Sequence, residues 1–283
     1  MNNETIILDH IPEMEDALLI MGFEGWGNAL DVSSRMVEYL VRKLKAKPFG
    51  RLNPDLFYSY TKNRPRILIE NGLLKEIEPP GGVFYKTSEK SSGQDIILIK
   101  ATEPDLNWYQ FTESIIHLCQ KIGVKTIITL GSMFDNVSHT DSLISAIASS
   151  AHVLESVCDR KIIPINYKGP GAIHTALHTE AGKKGLQSLS LWCHCPYYLQ
   201  GTTHFGLLSH LGNFLSSWGG FYLDTEELSI TWADLSMQIQ DIIDNNTELR
   251  EAIKDLHKTK IKQGTNTSES TKIIRLDPFL RKR

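Results

Sequence analysis

The chain contains 283 residues, of which 41% are apolar and 22% are charged, with 20 glycines and 11 prolines. These proportions are typical of a folded globular protein and exclude a wholly disordered, collagen-like or coiled-coil chain. The formal net charge of −3, from 30 Lys and Arg against 33 Asp and Glu, gives no overall field that would draw the protein to nucleic acid or to an anionic membrane.

The N-terminal sequence and the cysteine content indicate where the protein resides. The first residues are acidic and lack the basic start and long apolar stretch of a secretory signal. The longest uninterrupted apolar run, Ala17–Met21, is far shorter than the roughly 20 residues that a membrane helix needs. Four cysteines are too few and too unevenly spaced for a disulfide framework. We therefore expect a cytoplasmic protein that makes no membrane contact.

Short apolar runs typical of buried strands alternate with helical patterns along the chain. The predicted strands are Ala17–Met21, Arg66–Glu70, Asp95–Ile99, Thr126–Leu130, Lys161–Asn166 and Ser188–Cys195. This alternation is typical of an α/β fold in which helices cover both faces of one largely parallel sheet. The sequence therefore predicts a three-layer α/β/α architecture with a mostly parallel central sheet.

Amphipathic patterns predict helices between these strands. The predicted helices are Val32–Leu44, Trp108–Ile122, Ile173–Lys184 and Phe205–Trp218. Glycines follow directly after three of them, as is common at helix C-termini. Residues 224–257 then show a mostly polar helical pattern with a break at Asn245–Asn246, which predicts a two-helix hairpin.

We predict one domain with a C-terminal appendage. Residues 1–223 form the α/β/α domain, residues 224–257 form the helical hairpin, and residues 258–283 form a flexible basic tail. The tail has eight basic and two acidic residues, a net charge of +6, which leaves −9 for the rest of the chain. Its composition lacks the interleaved aromatic residues of nucleic-acid-binding segments, so we expect a solvated tail and no nucleic-acid partner.

The segment Gly22–Asn28 is predicted to be a turn between the first strand and the first helix. Backbone N–H groups and the helix dipole at such a position can hold an anion. The spacing is GxxGxG rather than the GxGxxG of dinucleotide-binding proteins. The glycines are also consistent with a tight turn that only relieves steric strain. Glu24 and Trp26 favour a ligand site, because open α/β folds bind ligands at the carboxyl edge of the sheet.

Residues 130–141 follow another predicted strand, so their loop should reach the same edge of the sheet. The candidate functional residues in this loop are Ser132, His139 and Thr140. His139 is a candidate general acid or base near neutral pH, with Asp141, Asp135 or Glu24 as its partner. No nucleophile motif such as G-x-S-x-G accompanies it. The favoured interpretation is therefore that His139 hydrogen-bonds the loop backbone and holds the turn.

Two patterns match metal-binding motifs only in part. His174 and His178 stand four residues apart on a predicted helix, but the glutamate of HExxH and a third ligand are missing, so we expect surface histidines. Cys193, His194 and Cys195 lie in a predicted strand, where both thiols point to one face and the imidazole to the other. The sequence therefore predicts buried structural thiols, and neither a metal nor a cofactor.

Five blocks of sequence occur in a characteristic order along the chain. They are Gly22–Ala29, Arg64-Pro65, Leu130-Gly131 with Val137–Thr140, Tyr167–Ile173 and Leu191–Leu199. Together these blocks resemble the proteasome assembly chaperone 2 family, and the resemblance spans roughly residues 15–235. It implies a three-layer fold similar to purine nucleoside phosphorylases and a self-associating protein that forms a homo-oligomer. Family relatives build or cap proteasome rings, which implies a protein partner but no particular reaction.

The chain departs from the family pattern at several positions. Ser138 stands in place of proline, Gly171-Ala172 in place of Thr-Gly, and Tyr197 in place of histidine. The sequence ends Leu280–Arg283, whereas docking relatives have a hydrophobic-Tyr-any ending. The resemblance therefore does not imply docking through that ending, and it implies a ligand site that differs in detail.

Two functional hypotheses follow from the sequence. The first is a non-enzymatic, self-associating assembly factor or scaffold. The alternative is an enzyme or small-molecule binder that uses a cleft at the strand ends for a nucleoside-like or anionic ligand. The cleft residues would be Gly22, Glu24, Gly25, Trp26, Asn28, Ser132, His139, Thr140, Tyr167 and Gly169. The alternative expects Glu24 and His139 to lie within hydrogen-bond reach across an open pocket, and the first hypothesis expects them to be buried against each other and against backbone.

Overall fold

The structure is a computed structural model that describes residues 4–87, 94–160, 162–251 and 253. Across these residues, nine strands form one sheet and two strands form a separate hairpin. The strands are β1 (Ile6–Leu8), β2 (Ala17–Glu24), β3 (Lys47–Leu52), β4 (Arg66–Glu70), β5 (Leu73–Glu78), β6 (Gly82–Lys86), β7 (Ile96–Thr102), β8 (Val124–Asp135), β9 (Ile144–Ala148), β10 (Ile163–Pro164) and β11 (Gln187–Pro196). The helices are α1 (Val32–Lys43), α2 (Pro54–Phe57), α3 (Trp108–Lys121), α4 (Ala151–Cys158), α5 (Ile173–Lys183), α6 (Phe205–Gly219) and α7 (Glu226–Asp244).

The central sheet has the strand order β1-β3-β6-β7-β2-β8-β11-β9-β10. Its middle strands, β7, β2, β8 and β11, run parallel to one another, while β6 and β9 pair with them antiparallel on the two sides. In β2 every residue from Ala17 to Phe23 is buried, as expected for a parallel strand with helices on both faces. The predicted three-layer α/β/α architecture with a mostly parallel sheet is confirmed.

Alternation along β2 sends its side chains into two separate hydrophobic cores. Leu18 and Ile20 pack in one core with apolar residues of α1, α6 and α7. Leu19 and Met21 pack in the other core with apolar residues of α3 and α5. The carboxyl ends of the parallel strands meet at one edge of the sheet, where the loops after β2, β7, β8 and β11 come together.

Arg66–Glu70 forms a strand, but the prediction that this strand belongs to the central sheet is wrong. It pairs antiparallel with β5 in the separate hairpin, and every residue of both strands is exposed. Asn71 and Gly72 join the strands with φ angles of 51° and 76°. This is the left-handed conformation that two-residue hairpin turns require. The apolar run of β4 therefore marks an exposed surface and not a buried strand.

The other predicted strands lie in the central sheet with changed bounds. Strand β2 extends to Glu24, so the turn that was predicted to begin at Gly22 begins only at Gly25. The predicted strand Lys161–Asn166 is reduced to Ile163–Pro164. Four further strands of the sheet, β1, β3, β6 and β9, escape prediction, because short strands on the antiparallel sides of a sheet lack a continuous apolar run.

The predicted helices are confirmed. Helices α1, α3, α5 and α6 each begin and end within one residue of their predicted bounds. After α7, helical residues resume at 247–251 and 253, in agreement with a C-terminal helical hairpin. The division between the domain and this appendage at residue 223 stays a prediction, and the basic tail at 258–283 lies outside the described residues. In the part of the chain that is described, no helix has both the length and the apolar character to cross a membrane.

Candidate functional site

A sharp turn follows β2 at the carboxyl edge of the sheet. Gly25 in this turn has a φ of 134°, which residues with side chains rarely adopt. Glu103, the residue after β7, fastens the turn through both oxygens of its carboxylate. Its Oε2 accepts the N–H of Trp26 at 3.2 Å, and its Oε1 accepts the N–H of Ile173 at 2.9 Å. One side chain thus joins the turn after β2 to the first residue of α5.

Sequence reasoning missed Glu103 as a residue of this edge. The available signal is its position directly after β7, a strand with a continuous apolar run. Because β7 lies next to β2 in the sheet, a residue at its carboxyl end reaches the turn that follows β2. That neighbour relation depends on strand order, which a single sequence does not reveal.

Ser132 and Asn28 hold the same turn to the rest of the edge. Ser132 is buried, its N–H donates to the carbonyl of Gly27 at 2.8 Å, and its hydroxyl donates to the carbonyl of Ala29 at 2.8 Å. The Oδ1 of Asn28 accepts the N–H of Ser34 at 3.2 Å and so satisfies a free N–H group at the start of α1. Both predicted cleft residues therefore have structural partners.

Gly22 lies inside β2, where α1 crosses the strand. A β-carbon at this position would lie 2.6 Å from the carbonyl oxygen of Ser33 and 2.7 Å from Cγ2 of Val37. The hydroxyl of Ser33 accepts the N–H of Phe23 at 3.0 Å, which ties the helix to the strand. The close approach of α1 to β2 therefore requires glycine at position 22.

Glu24 lines an open, polar groove beside the turn. The groove has a volume of about 350 Å³ and is lined by Glu24, Gly25, Asn28, Asp31, Ser34, Arg35, Glu38, Arg66 and Lys100. The Nζ of Lys100 lies 3.2 Å from the Glu24 carboxylate and also contacts Glu38. Burial opposes the charge on Lys100, but the two carboxylates outweigh it and raise the pKa of Lys100. Arg66, at the base of the β4–β5 hairpin, lies 3.9 Å from Glu24.

Trp26 and Tyr167 are exposed aromatic residues at this edge. Their exposed fractions are 64% and 61%. The hydroxyl of Tyr167 donates to the carbonyl of Pro170 at 3.1 Å, and the side chain lies against Gly169. Because Glu103 binds both the turn and the start of α5, the loop that carries Tyr167 ends next to the turn that carries Trp26.

His139 lies in a separate, buried cluster. Only 2% of the residue is exposed. Its backbone N–H donates to the hydroxyl of Tyr198 at 2.6 Å, and its Nδ1 lies 3.0 Å from the same oxygen. Burial lowers the pKa of His139, although the charge of Asp141 acts in the opposite direction. The neighbouring Thr140 is exposed, and its hydroxyl donates to that of Ser138 at 3.0 Å.

The predicted cleft residues therefore fall into different surroundings. Glu24 contacts Lys100 in the open groove, whereas His139 contacts Tyr198 in the protein interior. Among the contacts of the described residues, there is no hydrogen bond between Glu24 and His139. The geometry favours the interpretation in which His139 holds its own loop, because Tyr198 ties that loop to the segment after β11.

The expectation that His174 and His178 are surface residues is wrong for His174, which is 1% exposed. Its ring lies between Phe23 and Trp192, with ring centroids 5.1 and 4.9 Å away, and its Nε2 lies 2.8 Å from the carbonyl of Leu130. The physical reason is that this face of α5 packs on the sheet. Burial lowers the pKa of His174 to about 4. His178, one turn further along α5, is half-buried.

Strand β11 has the predicted alternation of side chains. Cys193 and Cys195 are buried in a hydrophobic core, and burial raises the pKa of the Cys193 thiol to about 12. His194 points the other way, with Nδ1 2.8 Å from the Asp135 carboxylate and Nε2 2.9 Å from the Ser145 hydroxyl. The interpretation of these cysteines as buried structural thiols is confirmed. Within the described ranges, no group of three or more His, Cys, Asp or Glu side chains is arranged to bind a metal.

The β4–β5 hairpin carries an apolar surface. The register places Ile67 opposite Ile77 and Ile69 opposite Leu74, with an irregularity between Leu68 and Ile69 that leaves Lys75 of β5 without an opposite residue. These four apolar side chains form two cross-strand pairs. We call this set the apolar hairpin face, and it consists of Ile67, Ile69, Leu74 and Ile77. The exposed fractions of these residues lie between 56% and 61%. The remaining positions of the hairpin are mixed and include Arg66, which stands opposite Glu78 in the register.

The fold and its edge loops define the class of three-layer α/β/α proteins whose parallel strands all end at one loop-bearing edge. Within this class the chain belongs to the PAC2 family, whose sequence profile matches residues 19–243. The family predicted from the sequence blocks is thereby confirmed. No curated protein matches the chain in sequence.

Solved structures of similar proteins agree with this assignment. A PAC2 family protein from Streptomyces avermitilis has 23% identity and a TM-score of 0.75, over 83% of this chain and 99% of that one. A proteasome-assembly chaperone homologue from Mycobacterium tuberculosis has 23% identity and a TM-score of 0.72, over 83% and 98%. An archaeal proteasome activator from Pyrococcus furiosus has 18% identity and a TM-score of 0.63, over 84% and 98%. At these identities the likeness establishes a shared fold.

Proposed function

We propose that this protein is a non-enzymatic assembly factor or scaffold that associates with itself and with a protein partner through surface contacts. The observation that carries the proposal is the apolar hairpin face. A two-stranded hairpin is only marginally stable alone in water. Contiguous exposed apolar patches mark interaction surfaces, and covering one Ile or Leu side chain contributes about 1.5–3 kcal/mol. The hairpin therefore gains stability when another molecule covers this face.

A second copy of the chain is the occupant that fits the apolar hairpin face. The four side chains of the face are all aliphatic, so two copies stacked through them bring apolar surface against apolar surface. Such a contact is self-complementary and closes with two-fold symmetry. Arg66 and Glu78 are not part of this face, and both are exposed to water.

The names of the relatives support an assembly role for the oligomer. One relative is a proteasome-assembly chaperone homologue, and another is a proteasome activator. By family membership we infer that the partner of this protein is a multi-subunit protein complex, as the proteasome is for these relatives. A cytoplasmic location is consistent with this role, because all four cysteines are free and a reducing compartment keeps thiols in that state.

The oligomeric state tests the proposal. Ile67→Lys combined with Ile77→Lys places charges in the middle of the apolar hairpin face, and we expect it to convert an oligomeric wild type into a monomer. Light scattering coupled to size-exclusion chromatography measures the mass. The matched control is Ile230→Lys with Met237→Lys on α7, where the exposed fractions are 59% and 61%, and it should keep the wild-type mass. A monomeric wild type, or a hairpin variant with the wild-type mass, contradicts the proposal.

The polar groove beside Glu24 supports a second candidate function, the binding of a small anionic or nucleoside-like ligand. Its charged lining and volume of about 350 Å³ are compatible with such a ligand. A ligand that binds only the folded state raises the melting temperature. A thermal-shift screen with nucleosides, nucleotides and phosphate should then show a rise that Glu24→Gln removes and Glu113→Gln on α3 retains. A screen without any shift, or a shift unchanged in Glu24→Gln, counts against this function.

A further inference from the structure

His139 and His204 meet beneath Trp232 of α7. The ring of His204 is fully buried and stacks on the Trp232 indole, with centroids 4.0 Å apart and planes at 21°. The ring of His139 approaches the same indole at 6.4 Å. A β-carbon at Gly206 would overlap the indole nitrogen, so glycine there permits the close approach of α6 to α7. Two imidazoles and one indole thus join three segments: the loop after β8, the start of α6, and α7.

A hydrogen bond from the backbone determines which nitrogen carries the proton on neutral His204. The N–H of Leu207 donates to Nδ1 of His204 at 3.1 Å, so the proton of neutral His204 is on Nε2. The hydroxyl of Tyr198 accepts the backbone N–H of His139 and lies 3.0 Å from its Nδ1, a contact that either neutral tautomer of His139 can make. Neither Nε2 has a hydrogen-bond partner among the described residues.

We propose that this histidine pair is an acid-released latch between α7 and the carboxyl edge of the sheet. At neutral pH both rings are uncharged, and Trp232 packs on them. Protonation of either ring puts a positive charge in an apolar environment, next to the other imidazole. Release of α7 lets the charged ring reach water while the central sheet stays folded.

The groups that surround the pair oppose its protonation. Burial, together with the charge of a protonated His139, lowers the pKa of His204 to about 3, although backbone hydrogen bonds at His204 and His139 act in the opposite direction. His204 also stands at the N-terminus of α6, where the helix dipole disfavours a positive charge. Burial lowers the pKa of His139, and the charge of Asp141 offsets only part of that effect. Tyr198 and Trp232, which pack on the rings from the other segments, carry no charge in mild acid.

The direction of the pH effect follows from these shifts. A histidine in the released segment titrates near pH 6.5, well above its pKa in the latched state. The released state therefore binds more protons, so the latch is fully closed above about pH 6.5 and weakens as the pH falls. For His204 alone, this linkage increases the equilibrium constant for release about 30-fold between pH 7.5 and pH 5.0. Protonation of His139 adds to the increase.

The ion pairs at the start of α7 do not respond in this range. The Nζ of Lys43 lies 2.8 Å from the carboxylate of Asp224 and 3.4 Å from that of Glu227, which Arg42 also contacts. The hydrogen bond from Lys43 lowers the pKa of Asp224, and the hydrogen bond from Arg42 lowers the pKa of Glu227. Both carboxylates stay ionised at pH 5. The histidine pair is therefore the acid-sensitive part of this attachment.

Hydrogen–deuterium exchange of the full chain at pH 7.5, 6.0 and 5.0 tests the latch. The intrinsic exchange rate at each pH divided by the observed rate gives protection factors that report local opening. We expect the protection of α7 to fall about 30-fold between pH 7.5 and pH 5.0 while it remains below that of α3, whose exchange requires opening of the whole fold. Protection of α7 that stays constant with pH, or that equals the protection of α3 at every pH, overturns the proposal.

Variants assign the effect to the two histidines. His204→Asn keeps an acceptor for the N–H of Leu207 but cannot be protonated, and His139→Gln removes the second titrating ring. The double variant should show no acid-dependent loss of α7 protection, whereas His117→Asn on the exposed side of α3 should behave as the wild type. A double variant whose α7 responds to acid as strongly as the wild type contradicts the latch. Where the double variant is too unstable to purify, His204→Asn alone should remove most of the response.

Discussion

At position 22, a hydrogen in place of a methyl group decides how closely α1 packs on β2. The carbonyl oxygen of Ser33 would lie 2.6 Å from a β-carbon at this position, and this oxygen belongs to the helix backbone and cannot rotate away. We expect Gly22→Ala to lower the free energy of unfolding by about 1–3 kcal/mol, the usual effect of overpacking in a close-packed core. Urea denaturation followed by circular dichroism measures the change.

Gly182 provides the control for this substitution. It lies on the exposed side of α5, and a β-carbon there would meet no atom within 4 Å. Gly182→Ala should therefore raise the free energy of unfolding by up to about 1 kcal/mol through helix propensity alone. Equal stability of Gly22→Ala and the wild type would show that α1 can shift without cost.

Sequence patterns predict where a side chain lies when a local rule, such as strand alternation, determines its position. They fail when its position is determined by residues that are distant in sequence. Alternation along a strand correctly places Cys193 and His194 on opposite sides of β11. The same type of reasoning places His174 on the surface, but the packing of α5 on the sheet buries it between Phe23 and Trp192. Glu103 escapes notice because its partners belong to the turn after β2 and to α5, which are distant in sequence.

At the scale of elements, helix bounds are well predicted because their signals are local. Amphipathic spacing and a glycine after the last turn define α3 and α6, and the observed bounds agree with them. Buried parallel strands such as β2 are also well predicted, since both faces are apolar. Strand β4 shows the limit of this approach. An apolar alternating run indicates a surface that will be covered, but it does not indicate whether the same chain or another molecule covers it.

The candidate site could be predicted only as far as strand order allows. The expectation that the loops after β2 and β8 reach one edge agrees with the structure, where Ser132 contacts Gly27. The expectation that Glu24 and His139 converge depends on the path of each loop after it leaves the sheet. The loop after β8 turns inward toward Tyr198, while Glu24 faces Lys100 in the groove. Loop paths of this kind are set by side-chain packing and not by residue spacing.

At the scale of the whole molecule, buried histidines make stability depend on pH. Burial lowers the pKa of His174 to about 4, and it also lowers the pKa values of His139, His178 and His204. A histidine in the unfolded chain titrates near 6.5, so the unfolded state binds more protons in acid. The stability that these residues contribute is therefore fully present above about pH 6.5 and is lost as the pH falls toward their pKa values in the folded state.

His174 allows this dependence to be measured apart from the α7 latch, because it packs between Phe23 and Trp192 in the body of the fold. From its pKa of about 4, we expect His174 alone to reduce the free energy of unfolding by about 2 kcal/mol between pH 7.5 and pH 5.0. Urea denaturation at both pH values should show that His174→Gln loses less stability on acidification than the wild type, whereas His152→Gln on the exposed side of α4 loses as much. If all three proteins lost the same amount, burial of the neutral His174 ring would not be a source of the acid sensitivity. Global unfolding and local exchange of α7 then report two separate consequences of the same physical cause, the burial of uncharged imidazoles.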